Sequence, residues 1–152
     1  MTPEEKLASM GLVLPRTIVP SANYVPFRWA GNLLFLSGQG PKKADGTFHI
    51  GRVGRDLTAE QAHEHARLAG LNLLGAAKMA VGELSRISAV VKLLGMVNAE
   101  PDFAAHPKVI NGCSDLFVDA LGEAGRHARS AVGMGSLPNG MSVEVEAILL
   151  VD

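Results

Sequence analysis

The stretch "TAEQAHEHARLAGLNLLGAAKMA", from Thr58 to Ala80, restricts the available folds more than any other part of the chain. Ala62, Ala66, Ala69, Leu73, Ala76 and Ala80 recur at the spacing of one helix face, flanked by Leu68 and Leu74. Small side chains along that face let a helix lie close to a sheet. Thr58-Ala59-Glu60-Gln61 supplies the start signal, because the threonine hydroxyl and the glutamine amide can satisfy free backbone N–H groups reciprocally. A second helical pattern begins at about Pro107. Val109, Ile110, Cys113, Leu116, Phe117, Ala120 and Leu121 share its apolar face, and Gly122 or Gly125 ends it.

The remaining apolar runs have strand character. "YVPFRWAGNLLFLSGQG" predicts a hairpin bending at Gly31-Asn32, and "GPKKADGTFHIGRVGRD" predicts a loop with a short ribbon. "RISAVVKLLGMVN" is rich in β-branched and apolar residues, as a strand requires. "RSAVGMGSLPNGMSVEVEAILLVD" predicts a closing hairpin, two strands around "GSLPNG". At the other end, "TPEEKLASMG" predicts a short helix with Thr2 as its cap and Pro3 in its first turn. The expected organisation is an N-terminal extension over residues 1–19 and a single domain over residues 20–152. The order β-β-α-β-α-β-β leaves too few helices to cover both faces of a sheet. It predicts an α+β fold with two main helices packed on one face. A partner subunit is the simplest covering for the other.

Composition excludes several functions. Hydrophobic residues make up 47% of the 152 and charged ones 19%, the balance of a packed domain. With 14 basic and 15 acidic residues there is no basic stripe, so nucleic acid is not an expected partner. The single cysteine, Cys113, allows neither an intrachain disulfide nor a cysteine-based metal site, and its place on an apolar helix face predicts a small buried hydrophobe. The opening residues lack the basic start and apolar run of a signal peptide. No apolar run approaches the roughly 18 residues that span a bilayer. The expectation is a soluble, cytoplasmic protein with no membrane partner.

The histidines offer no obvious catalyst. His63 and His65 lie roughly 200° apart around a helix and cannot chelate one ion together. They predict a solvated helix face, while His49, His106 and His127 stand isolated. "GRVGRD" lacks the Lys-Ser/Thr ending of a phosphate loop. Phe27 and Trp29 alternate with Arg28 as packing residues of a strand.

Charges in the closing hairpin need another explanation. Strand alternation puts Glu144 and Glu146 on one face, with Ile148 and Leu150 continuing it. A turn centred on Pro138-Asn139, or a longer loop over 134–139, sets Arg129 on that same face. Such a trio is either an Arg–Glu clasp between strands or a site. An arginine fork can hold a substrate carboxylate, and a half-dry glutamate can orient a water.

"ARS", then "LP" and "VEVEA", resembles the C-terminal signature of the Rid/YjgF family of reactive-intermediate deaminases, some first described as L-PSP endoribonucleases. "LSGQGP", "NYV", the helix opening "TAEQA" and the "VING…LF" helix extend the resemblance over about residues 20–152. It implies a chorismate-mutase-like (YjgF-like) mixed sheet, a homotrimer with active sites in clefts between subunits, and no metal or organic cofactor. The implied reaction is hydrolysis of 2-imino acids to 2-oxo acids and ammonia. By the match, Arg129 holds the substrate carboxylate and Glu144 orients the water. Tyr24, Ser37, Asn111 and Ala131 line the cleft, Ala131 standing where the family usually has cysteine. "NYVPF" departs from the more usual "PYSQA" type of segment. Two other functions fit the same residues less directly: a non-catalytic module that binds small carboxylates, and an endoribonuclease.

Overall fold

The computed structural model describes residues 1–20 and 22–152. Its elements are α1 (Pro3–Ser9), β1 (Phe27–Ala30), β2 (Leu33–Gln39), α2 (Ala59–Val81), β3 (Ile87–Asn98), α3 (His106–Leu121), β4 (Ala128–Met134) and β5 (Val143–Val151). The five strands form one mixed sheet in the order β1-β2-β5-β3-β4, with only the β3–β4 pair parallel. α2 and α3 pack on one face, so the α+β architecture is as the sequence predicts.

Local signals act as expected. Thr58 Oγ1 accepts from the Gln61 amide at 3.1 Å and Gln61 Oε1 accepts from the Thr58 amide at 2.9 Å, which closes the capping box of α2. Gly82, at φ 82°, ends the helix where a side chain would be strained. The alanine stripe is buried along its length apart from the half-buried Ala80, and α3 crosses α2 closely. A methyl group at Gly112 would collide with the His63 carbonyl. Phe117, Leu73, Leu74, Ile110 and Leu116 fill the space between helices and sheet.

The N-terminal segment packs onto the helical layer. Thr2 and Glu5 cap α1 reciprocally, and Leu7 is 1% exposed. Glu4 accepts from the Leu84 amide at 2.7 Å and from Lys78 Nζ at 3.0 Å. Burial pushes the Glu4 carboxyl upward, yet the Leu84 amide and the Lys78 ammonium hold it below its ordinary range. Further on, the Pro15 carbonyl sits over Gly75 of α2, where a side chain would displace it.

The last two strands do not make the predicted hairpin. β3, α3 and β4 form a β-α-β crossover that delivers β4 to the sheet edge, parallel to β3. β5 instead enters the middle, between β2 and β3, where backbone groups on both of its edges find partners. Val143, Val145, Ala147, Leu149 and Val151 point from β5 into the core. Among the described residues, no helical layer covers the opposite sheet face. It carries half-buried Leu33, Ile148 and Leu150, with Phe35 40% exposed and Val132 39% exposed.

Candidate active site

Glu144 lies on the face of β5 that points away from the helices, half-buried in a cavity of 690 Å³. Tyr24, Ser37, Gly38, Asn139 and Met141 are among the residues around it. Gly38 makes room for the acid, since a Cβ there would stand 3.1 Å from the Glu144 carboxyl carbon and closer still to Oε2. Ser37 Oγ donates to the Val25 carbonyl at 2.6 Å, and its amide donates to the Pro26 carbonyl at 3.0 Å. These bonds tie the segment bearing Tyr24 to β2. Glu144 makes no hydrogen bond or ion pair among the described residues. Burial raises its pKa, and the neighbouring Glu146 carboxylate adds to the rise.

Arg129 is elsewhere. It stands on β4 beside Leu93 of β3, and its Nη1 donates to Asn111 Oδ1 at 2.7 Å and to Ser114 Oγ at 3.0 Å, both on α3. Behind it, His127 Nδ1 lies 2.6 Å from the Gly125 carbonyl, which can only accept, so Nδ1 carries a proton. Burial lowers the His127 pKa and nearby Arg129 lowers it further, against the Gly125 bond, so the ring is neutral at pH 7. Nε2 then accepts from the Ser114 hydroxyl at 2.9 Å, and a lone pair of that hydroxyl receives Arg129. Donors and acceptors are matched from Gly125 to the guanidinium. Ala131, on the same face of β4, sits beside Gly95 and against the core.

The predicted site residues therefore fall into two groups. Tyr24, Ser37 and Glu144 share the cavity, while Arg129 and Asn111 are hydrogen-bonded at the β4 edge. Arg129 does not share a face with Glu144. Leu93, beside Arg129, and Met96, beside Glu144, are three residues apart on β3 and point to opposite faces. The expected parity failed because it assumed that β4 pairs with β5.

Gly38, Ser114 and His127 were not anticipated. Gly38 lies within the "SGQ" run, and Ser114 follows Asn111 at helical spacing, so both had a local signal. His127 is two residues before Arg129, just ahead of β4, but its link to Ser114 exists only because α3 packs beside that strand. Two other histidine expectations are corrected. His65 is not on a solvated face: it bonds Ser142 Oγ at 2.8 Å, stacks on His49 at 4.2 Å, and burial pushes its pKa down to about 4. His49 is accordingly not isolated. Cys113 is fully buried, as expected, and burial lifts its thiol to about 12.

Among the described residues no cluster of three or more His, Cys, Asp or Glu side chains could hold a metal ion, and no helix is long and apolar enough to cross a membrane. What the two groups offer is a fixed cationic fork and a free, half-dry carboxylate.

Comparison with known proteins agrees with this architecture. A protein of unknown function from Agrobacterium tumefaciens is 46% identical, with a TM-score of 0.92 over 99% of this chain and 94% of that one. A Shewanella oneidensis structure carrying an endoribonuclease description is 36% identical, with a TM-score of 0.95 over 99% of this chain and 100% of that one. Protein TCP17 of Trypanosoma cruzi is 40% identical over 144 residues, 94% of this chain and 90% of its own length. Residues 4–145 match the family described as "YjgF/chorismate_mutase-like, putative endoribonuclease". With that match over nearly the whole chain, and the mixed sheet and helical layer to go with it, this protein belongs to the YjgF/chorismate-mutase-like family.

Proposed function

We propose that the protein hydrolyses 2-imino acids to 2-oxo acids and ammonia, in a site completed between copies of the chain. The observation that carries this reading is the uncommitted Glu144 carboxylate, half-buried beside Tyr24 and Ser37, facing a cavity that lacks an arginine of its own. The Rid resemblance of "ARS" and "VEVEA" supplies the reaction class. Arg129, at the sheet edge and braced by Asn111 and Ser114, is the anchor a neighbouring copy would contribute. The apolar residues of the uncovered sheet face support such an assembly, expected to be a homotrimer.

In this mechanism the substrate carboxylate pairs with the Arg129 fork, which sets the imine carbon against Glu144. Glu144 accepts a proton from water as its oxygen bonds to the protonated imine carbon, giving a carbinolamine. The raised pKa lets the carboxyl hold that proton and then return it to nitrogen. The C–N bond breaks, ammonia leaves, and the hydroxyl proton goes to solvent as the 2-oxo acid forms. An imine is electrophilic already, so orientation and this proton transfer suffice.

The test follows imine disappearance with amino acids fed through a coupled oxidase, for wild type beside Arg129→Ala and Glu144→Gln. The proposal expects acceleration over buffer with wild type and its loss in both variants. Equal rates in wild type and Arg129→Ala would overturn it. Saturable binding of 2-oxo acids without turnover would indicate a carboxylate-binding module instead.

A further inference from the structure

Beside the Glu144 cavity lies a second one, of 520 Å³, and the two have Ile18, Gln39 and Lys42 in common. The shared residues make the two cavities neighbours. The second takes its apolar lining from Leu68 and Leu71 of α2 and Pro15 of the N-terminal segment, with the exposed Val13 at its rim. Its charged members are Arg16, Lys42 and Lys43, with no carboxylate among the lining residues. Nearby Asp45 is committed to Thr47, whose hydroxyl and amide it accepts at 2.6 and 2.9 Å.

Both long walls are held in place. Asn72, 7% exposed, donates to the carbonyls of Gly40 at 3.0 Å and Lys42 at 3.2 Å, which pins the lysine-bearing loop to α2. The opposite wall is fixed where the Pro15 carbonyl meets Gly75. An apolar chamber rimmed by cations suits a chain of methylenes that ends in an anion.

We infer that the second chamber receives the substrate side chain, and that the preferred substrates are 2-imino acids whose extended unbranched side chain ends in a carboxylate. This rests on the deaminase reading of the Glu144 cavity. Residues 13–18 then form the wall that selects the side chain. Each methylene moved out of water into the chamber strengthens binding by about fourfold at full burial. The terminal anion adds a smaller, salt-dependent gain, because Arg16 and Lys43 are exposed.

The experiment measures calorimetric affinity of the full chain for pyruvate, 2-oxohexanoate and 2-oxoadipate, at low and high salt. The last two share three methylenes and differ only in the terminal group. The expected order is 2-oxoadipate, then 2-oxohexanoate, then pyruvate. At least about tenfold should separate 2-oxohexanoate from pyruvate, and the advantage of 2-oxoadipate should shrink in high salt. Ala44→Trp, an exposed substitution at the chamber wall, should cut the ratio of 2-oxohexanoate to pyruvate affinity by about tenfold. Arg16→Ala with Lys43→Ala should reduce the preference for 2-oxoadipate over 2-oxohexanoate, leaving only the share that Lys42 supplies. Pyruvate binding as tightly as 2-oxohexanoate, or an Ala44→Trp ratio equal to wild type, would overturn the chamber assignment. A 2-oxoadipate affinity equal to that of 2-oxohexanoate would overturn the anionic end. Because binding is read without turnover, graded affinities with no imine hydrolysis would sink the deaminase reading alone, and hydrolysis with flat affinities would sink this one alone.

Discussion

Arg129 and Glu144 stand on opposite faces of one sheet, with β3 running between their strands. Within one copy the arginine and the glutamate therefore project to opposite sides of the sheet. Among the described residues the carboxylate's cavity has no arginine in its lining, and the arginine has a braced position at an edge.

That separation makes complementation the most direct prediction. Arg129→Ala and Glu144→Gln should each be inactive alone. Unfolded together and refolded as mixed assemblies, they should recover about a quarter of wild-type activity, since random mixing leaves that share of inter-copy sites intact. Recovery of none would place both residues in a site within one chain.

A second prediction concerns pH. The Glu144 pKa is raised by burial and then by Glu146, so the acidic limb of kcat/KM should lie above the ordinary glutamate range. Glu146→Gln removes the second cause and should move that limb to lower pH. A limb at the same pH in wild type and variant would refute the coupling.

The same shift predicts a stability effect. An acid whose pKa is higher folded than unfolded costs the native state stability as pH rises through the window between the two values. Glu144→Gln should therefore melt higher than wild type at neutral pH, with the difference vanishing in acid below the unfolded value. Thermal melts across the range from acid to neutral pH check this sign.

Ser114 joins Arg129 to the neutral His127 ring. Ser114→Ala leaves Nε2 without its donor and the guanidinium with one brace, a loss of roughly 1–3 kcal/mol in stability. KM should rise more than kcat falls, because a misplaced fork weakens carboxylate binding first. The His127 pKa is depressed by burial, so its contribution is lost as pH falls below the unfolded value near its ordinary 6.5. Wild type should thus lose stability in mild acid more steeply than His127→Gln.

The N-terminal helix should prove part of the core. Leu7→Ala opens space beside a side chain that is 1% exposed, and should cost about 2–5 kcal/mol in urea unfolding. A loss under half of the lower figure would show that α1 docks loosely.

Much of the fold was written in short spans of sequence. Thr58 to Gln61 announced α2, the apolar faces at Ala62 and Val109 announced the helical layer, and Gly31-Asn32 announced the first hairpin. Those signals depend on residues three or four apart, so a local pattern suffices. The residue types of the site were equally legible, with Arg129 and Glu144 out of place among apolar neighbours.

Where those residues point was not legible. Alternation along β4 and β5 is read correctly from each strand, but it cannot tell which strand lies beside which. Competition among all the sheet edges settled that, inserting β5 between β2 and β3 and leaving β4 parallel at the rim. The same packing brought His127 to Ser114 and Pro15 to Gly75. Helix and turn preferences are properties of neighbouring residues, whereas strand order is chosen by burial and hydrogen bonding across the whole sheet. The sequence alone therefore sufficed for the elements and the chemical groups, and the tertiary arrangement alone put the arginine and the glutamate on different faces.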